Sequence, residues 1–333
     1  MTIPDAFNAF YIRGGTPYAA GLESITQTEL GEGELVLRVH YSSVNYKDAL
    51  AGTGKGKILR QFPLVGGIDV AGEVLDSSDS AFAAGTQVLV TGCGLSETRN
   101  GGYSEYLRVP AKWAIPLPKH LTARQAMGLG TAGFTAALSL YRMQALGQAP
   151  ELGPVVVTGA TGGVGMLAIS VLQAAGYEVH SISGKPEHFD FLQQLGARQC
   201  VSRHGLHLGS RPLEAATWAG AIDNVGGSML DGLTRVIKPW GNIASCGLAG
   251  GTELHTTVMP FIIRGVSLIG INSSGCPRDL RENLWQRLAT DWRPARLDEI
   301  ITREVTLQEL PEVFDTMLAG KSFGRSVVRI ADD

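Results

Sequence analysis

The chain has 333 residues, of which 44% are hydrophobic and 18% charged, and its net charge is −3. That length suits two globular domains, and that charge gives no reason to expect nucleic acid or an anionic membrane as partner. No apolar run reaches transmembrane length and the N-terminus lacks a signal-peptide core, so a cytoplasmic protein is expected.

Four cysteines, Cys93, Cys200, Cys246 and Cys276, stand far apart with no CxxC, which argues against a structural zinc or a disulfide framework. Residues 1–125 read as a largely β domain. Strands are expected at 35–40, 72–75 and 86–90, separated by turn signals such as Gly31-Glu32-Gly33 and Gly101-Gly102. Thr122 is a candidate N-cap for a helix opening at Ala123. From 126 to about 293 the pattern alternates strand and helix, as in a doubly wound parallel sheet.

The stretch 154–185 is the most informative. An apolar β-branched run at 154–157 is followed by Gly159, Gly162, Gly163 and Gly165, then a helical pattern over 163–175 stopped by Gly176, then a strand over 177–183. Glycines between a strand and a helix let the backbone approach a pyrophosphate, and the helix dipole favours that anion. The first glycine of the usual dinucleotide fingerprint is here Ala160, so the context carries the assignment rather than the bare motif.

An NAD site places an acid at the end of the second strand. This strand ends Ile182-Ser183-Gly184-Lys185. A hydroxyl, a backbone turn and a cation suit a 2′-phosphate, so NADPH is expected over NADH. A helix at 186–195, strands at 199–202, 221–225, 242–247 and 267–271, and a helix at 228–237 complete a six-stranded parallel sheet, with ligand outside its C-terminal edge. The tail gives a strand at 304–307, a helix at 310–318 and a strand at 324–330. That last strand needs a sheet, and the N-terminal one is expected to receive it.

Taken together, Ser43 to Asp48, Gly66 to Gly72, Gly130 to Ala136, the glycine turn and Gly324-Arg325 resemble the zinc-independent, quinone-oxidoreductase-like members of the medium-chain dehydrogenase/reductase superfamily. Within that group, Thr53 to Ile58, Leu248 to Gly251 and Met259 to Ile262 resemble the acryloyl-CoA reductase branch. The resemblance implies an α/β architecture: a mostly-β GroES-like catalytic domain over 1–125, completed by 294–333, and an NADP-binding Rossmann domain over 126–293.

It also implies the chemistry. Zinc-dependent members carry a cysteine where this chain has Asn45, a Gly-His-Glu where it has Gly67-Ile68-Asp69, and a third ligand near Thr131-Ala132. No metal is therefore expected. The activity implied is NADPH-dependent reduction of the C=C bond of an α,β-unsaturated thioester, acryloyl-CoA to propionyl-CoA. An NADPH:quinone or small-enone reductase, or a non-catalytic NADPH-binding protein, are the alternatives. Asn45 and Tyr46 are the expected catalytic pair, with Tyr46 also against the nicotinamide. Thr161, Gly162, Gly163 and Val164 are expected at the pyrophosphate, Ser183, Gly184, Lys185 and Arg203 at the 2′-phosphate, and Leu248, Ile262 and Ser273 around the ribose and nicotinamide. Asp48 and Asp69 read as structural acids. Lys55, Lys57 and Arg60 form either a CoA-phosphate contact or a solvated basic loop. A homodimer joined along the strand at 266–271 is also implied, with no nucleic-acid or membrane partner.

Overall fold

A computed structural model describes residues 3–331, and the chain divides into two compact units. One holds the residues up to Thr131, Ser274–Ala289 and the chain from Leu297 onward; the other holds Ala132–Ser273 and Thr290–Arg296. Of the expected domain bounds, positions 1, 2, 332 and 333 lie outside the described residues.

The second unit is built on a parallel six-stranded sheet. Its order is Ala197–Ser202, Val179–Ser183, Val155–Thr158, Trp218–Asp223, Ile237–Ser245, Ser267–Gly270. Val155–Thr158 is buried along its whole length, as a central strand covered on both faces must be, and its run of three valines supplies that. The chain reverses direction across the sheet after its first three strands, which makes a crevice at the strands' C-terminal ends. Val156, Ile182, Trp218, Leu230, Leu233 and Ile243 pack one of the cores.

The first unit has two sheets. Leu35–Ser43 is the spine of the larger, pairing antiparallel with Asp69–Ser77 and with Tyr106–Val109. The tail strand Arg325–Arg329 joins the same spine antiparallel, Val327 opposite Ser43 and Val328 opposite Ser42. Beyond it, Ile301–Val305 pairs parallel with the tail strand. The smaller sheet orders Ala19–Thr26, Ala6–Gly14 and Leu64–Val65. The sequence reading passed over its first two strands because turn signals and exposed residues break their alternation.

The helix Tyr46–Thr53 follows the spine strand after Val44 and Asn45. It packs on the tail helix Leu310–Leu318, where Gly52 lies directly against the Phe314 ring. Phe314 in turn meets Phe10 edge to face at 5.6 Å, inside a core that includes Val44, Ala49 and Tyr103. The tail therefore props the segment that presents Tyr46.

Ser274–Ala289, expected within 126–293, groups with the first compact unit. The helix Arg278–Ala289 is tied to the first unit by arginine side chains. Arg281 donates to the Thr91 carbonyl at 2.7 Å, and Arg278 to those of Lys112 and Ala114 at 2.7 and 2.9 Å.

Candidate active site and coenzyme cradle

The glycine turn has the geometry its residues permit. Gly159 takes a positive φ of 57°, and Gly162 is the N-cap of the helix Gly163–Ala174. A Cβ on Gly165 would lie 2.7 Å from the Ala160 Cα, so glycine is what lets this helix start against the strand end. Thr161 precedes the cap and Val164 lies in the first turn, where unbonded backbone N–H groups and the helix dipole favour an anion.

Hydroxyls and cations gather at the end of the neighbouring strand. The Thr161 and Ser183 hydroxyls are 3.0 Å apart, and the Ser183 Oγ also accepts the Lys185 N–H at 3.2 Å. The Ser183 carbonyl accepts the Arg203 N–H at 2.9 Å. Arg203's guanidinium lies over Gly184. Burial holds the Lys185 ammonium below its ordinary value; Glu187 opposes this, and the Arg203 charge adds a smaller push in the same direction as burial. Two cations at one strand end repel each other, and an anion between them relieves that.

The structure thus brings Thr161, Ser183, Gly184, Lys185 and Arg203 together. Leu248 lies in an exposed turn and Ile262 on the helix Met259–Arg264, both as exposed apolar side chains; Ser273 is half-buried. Asp223 sits at another strand end but is committed to its own corner. It accepts from the Thr158 hydroxyl at 2.6 Å and from the Gly226 N–H at 2.8 Å.

In the first unit, Asn45 is the N-cap of Tyr46–Thr53 and is buried, while Tyr46 is 39% exposed. Asp48 accepts the Asn45 N–H at 2.9 Å, closing the first turn, and the Ile68 N–H at 2.9 Å. The Asn45 amide donates to Asp69 Oδ2 at 2.8 Å and to Asp48 Oδ2 at 3.2 Å, and its oxygen accepts from Arg325 at 3.2 Å. Asp69 also accepts from Ser43 Oγ at 2.7 Å and from the Thr131 N–H and hydroxyl at 2.9 and 2.6 Å. Arg325, fully buried, donates further to the carbonyls of Val44 and Gly128. Burial, and secondly the Asp69 charge, push the Asp48 carboxyl up to about 7. Burial lowers the Arg325 guanidinium, against the opposing pull of Asp69 and Asp48.

Residues 31–119 match the family model described as the alcohol dehydrogenase GroES-like domain, and residues 163–290 the one described as zinc-binding dehydrogenase. Bacillus subtilis YhfP, provisionally named a quinone oxidoreductase, is 45% identical over 310 residues, 93% of this chain and 94% of its own. The chain belongs to the medium-chain dehydrogenase/reductase family, a family of oxidoreductases. Acrylyl-CoA reductase AcuI of Ruegeria pomeroyi is 44% identical over 312 residues, again 93% of this chain and 94% of its own. Among solved structures, the yhdH oxidoreductase of Salmonella enterica in complex with NADP superposes with a TM-score of 0.93 at 42% identity, covering 97% of this chain and all of that one. The YhfP crystal structure, with NAD bound, gives 0.94 at 42% identity, covering 98% of this chain and all of that one.

One family description names zinc, and the three segments that would supply its ligands do converge on one another. Their donors are an amide, a carboxylate already accepting hydrogen bonds on both oxygens, and a hydroxyl, with the Arg325 cation among them. Among the described residues, no group of three or more His, Cys, Asp or Glu side chains is arranged to hold a metal ion. This set does not fit zinc, whose protein ligands are thiolate, imidazole and carboxylate: it offers a neutral amide and hydroxyl, a carboxylate already engaged on both oxygens, and a cation in their midst. Among the described residues no helix is long and apolar enough to cross a membrane.

The sequence reading used Gly324-Arg325 and Gly130 only as marks of resemblance. In the structure Arg325 is the hub of this buried network. Gly130, at φ 49°, interrupts the helix Ala123–Ala145, and a Cβ there would lie 2.6 Å from Asp69 Oδ2. Three closely spaced glycines, Gly128, Gly130 and Gly133, inside a helical pattern are the signal the sequence offers.

Proposed function

We propose that this dehydrogenase/reductase chain uses NADPH to reduce the C=C bond of an α,β-unsaturated thioester, with acryloyl-CoA to propionyl-CoA as the reaction. The observation that carries the coenzyme half is the Thr161–Ser183–Gly184–Lys185–Arg203 corner. It offers hydroxyls and two cations where an NAD site presents an acid. Relatives crystallised with NADP, and a relative named acrylyl-CoA reductase over nearly its whole length, support the reading.

When bound, the coenzyme supplies a hydride to the β-carbon. The chain's own work is to bind, orient and polarise. Thr161, Gly162, Gly163 and Val164 cradle the pyrophosphate, and Ser183, Gly184, Lys185 and Arg203 hold the 2′-phosphate. Leu248, Ile262 and Ser273 border the ribose and nicotinamide. The Tyr46 hydroxyl donates a hydrogen bond to the thioester oxygen, where enolate charge develops, or gives its proton to the α-carbon and recovers one from solvent. Asn45 has both ends of its amide engaged in the buried network, so its part is to set Tyr46 in place rather than to touch substrate. Lys55, Lys57 and Arg60 are exposed on the loop after Gly54 and meet the phosphates of CoA.

Oxidation of NADPH is to be compared with acryloyl-CoA, crotonyl-CoA and a benzoquinone. Acryloyl-CoA giving the highest kcat/KM supports the proposal. Preference for the quinone supports the second reading, which the name of YhfP favours. Tight NADPH binding with no turnover leaves a binding protein. We further propose a homodimer along Ser267–Gly270, the edge strand of the parallel sheet, to be checked by light scattering in solution.

A further inference from the structure

We propose that Gly184 and His204 are positioning residues that set coenzyme choice, by seating the Arg203 guanidinium and holding two backbone carbonyls away from the 2′-phosphate. This rests on the NADPH reading above and adds the residues that make its cation site selective. Relatives of equal identity have been crystallised with NADP and with NAD, so the choice has to be made locally.

Gly184 is glycine for space, not for conformation. It is absent from the positive-φ glycines of the chain. A Cβ built on it would fall onto the Arg203 Nε, 2.9 Å from Cζ and 3.0 Å from Cδ. The bare Cα is therefore a seat, with the guanidinium laid across it. Any side chain at this position moves Arg203.

The carbonyls of this corner are the second element. A carbonyl oxygen turned toward a phosphate repels it. Here two consecutive carbonyls are each tied by one of two consecutive residues from the adjacent strand end. The Arg203 N–H donates to the Ser183 oxygen at 2.9 Å, and His204 Nε2 lies 3.2 Å from the Gly184 oxygen. A carbonyl only accepts, so this bond requires the hydrogen on Nε2. The His204 N–H donates to the Ser202 hydroxyl at 3.2 Å, which fixes the turn that aims the ring. The Ser183 hydroxyl, the Lys185 ammonium and the Arg203 guanidinium are the groups this corner brings to the anion.

The test titrates the full chain with NADPH and NADH, following fluorescence of the bound nicotinamide, for wild type, Gly184→Ala, His204→Ala and His204→Gln. Gly184→Ala is expected to weaken NADPH by about tenfold or more while NADH stays within about twofold, the scale of one lost charge-assisted contact. His204→Ala shifts the same ratio by less, and His204→Gln recovers part of it, because an amide N–H can still donate. Equal weakening of both coenzymes, or an unchanged ratio in both Gly184→Ala and His204→Ala, overturns the proposal. Wild type binding NADH as tightly as NADPH overturns the NADPH reading itself, and no variant is needed to see it. His204 is exposed, so its variants keep the test open if Gly184→Ala fails to fold.

Discussion

Arg325 donates to the side-chain oxygen of Asn45 at 3.2 Å, across 280 residues of chain. The bond joins the tail strand to the residue that caps the Tyr46 helix. The same guanidinium reaches Ser43, Val44 and Gly128, so one cation fixes the spine strand, the cap and the helix break together. A planar fork with five donors can do this; an ammonium cannot.

Replacing Arg325 is accordingly expected to be severe. Arg325→Met leaves the Val44 and Gly128 carbonyls without their donor and Asp69 without its nearby opposite charge, and should cost roughly 3–5 kcal/mol of stability. Arg325→Lys should recover only a minor part, because three donors on a point charge cannot span the same acceptors. Urea unfolding of the two variants measures this. Near-wild-type stability in Arg325→Lys would show that charge alone, without the fork, holds the site.

Two glycines separate collision from conformation. Gly130 and Gly147 both have positive φ, 49° and 84°, but only Gly130 has polar atoms where a Cβ would go. Gly147→Ala should cost roughly 1–2 kcal/mol, the left-handed penalty alone. Gly130→Ala carries that penalty and also pushes on Asp69, Ser43 and Arg325, so it should cost clearly more and lower turnover as well. Equal melting shifts for the two would mean the network gives way freely.

Asp48 gives a pH signature whose sign is fixed. Its carboxyl titrates near 7 in the folded chain, above the ordinary aspartate range. Between that range and about 7, the folded state keeps a proton that the unfolded state has released. Stability therefore falls as pH rises through this window and levels above it. Asp48→Asn should be less stable overall, because its amide has one oxygen for the Asn45 and Ile68 N–H groups that Asp48 accepts on separate oxygens, yet its stability should be flatter with pH. Urea midpoints from about pH 5 to about pH 8 test the slope rather than the mean. A wild-type profile that climbs across that interval contradicts the assignment.

Much of this was legible before any coordinates. Val155–Thr158 and its glycine turn are local: β-branched burial, a tight turn and a helix start are written within a dozen residues. The return of the tail to the spine strand followed from a strand with no sheet of its own. What stayed hidden is what depends on distant chain. Arg325 reads as an ordinary arginine beside a glycine until the fold brings it to Asn45. Gly184 reads as one more turn glycine until Arg203 is laid across it. The grouping of Ser274–Ala289 with the first unit rests on arginine side chains bonded to backbone carbonyls, which leave no trace in periodicity.

Tyr46 carries the last prediction. It opens the Tyr46–Thr53 helix, is 39% exposed, and its hydroxyl has no hydrogen-bond partner among the described residues. A group so placed contributes little to folding, so Tyr46→Phe should leave stability within about 0.5 kcal/mol. If the hydroxyl donates to the substrate, kcat with acryloyl-CoA should drop by about a hundredfold or more. The binding of NADPH should barely change. Tyr46→Ala removes the ring as well, and any extra loss in coenzyme affinity measures the packing role by itself. An unchanged kcat in Tyr46→Phe, with a loss only in Tyr46→Ala, would leave Tyr46 as a wall of the site and move the search for the donor to the substrate-facing backbone.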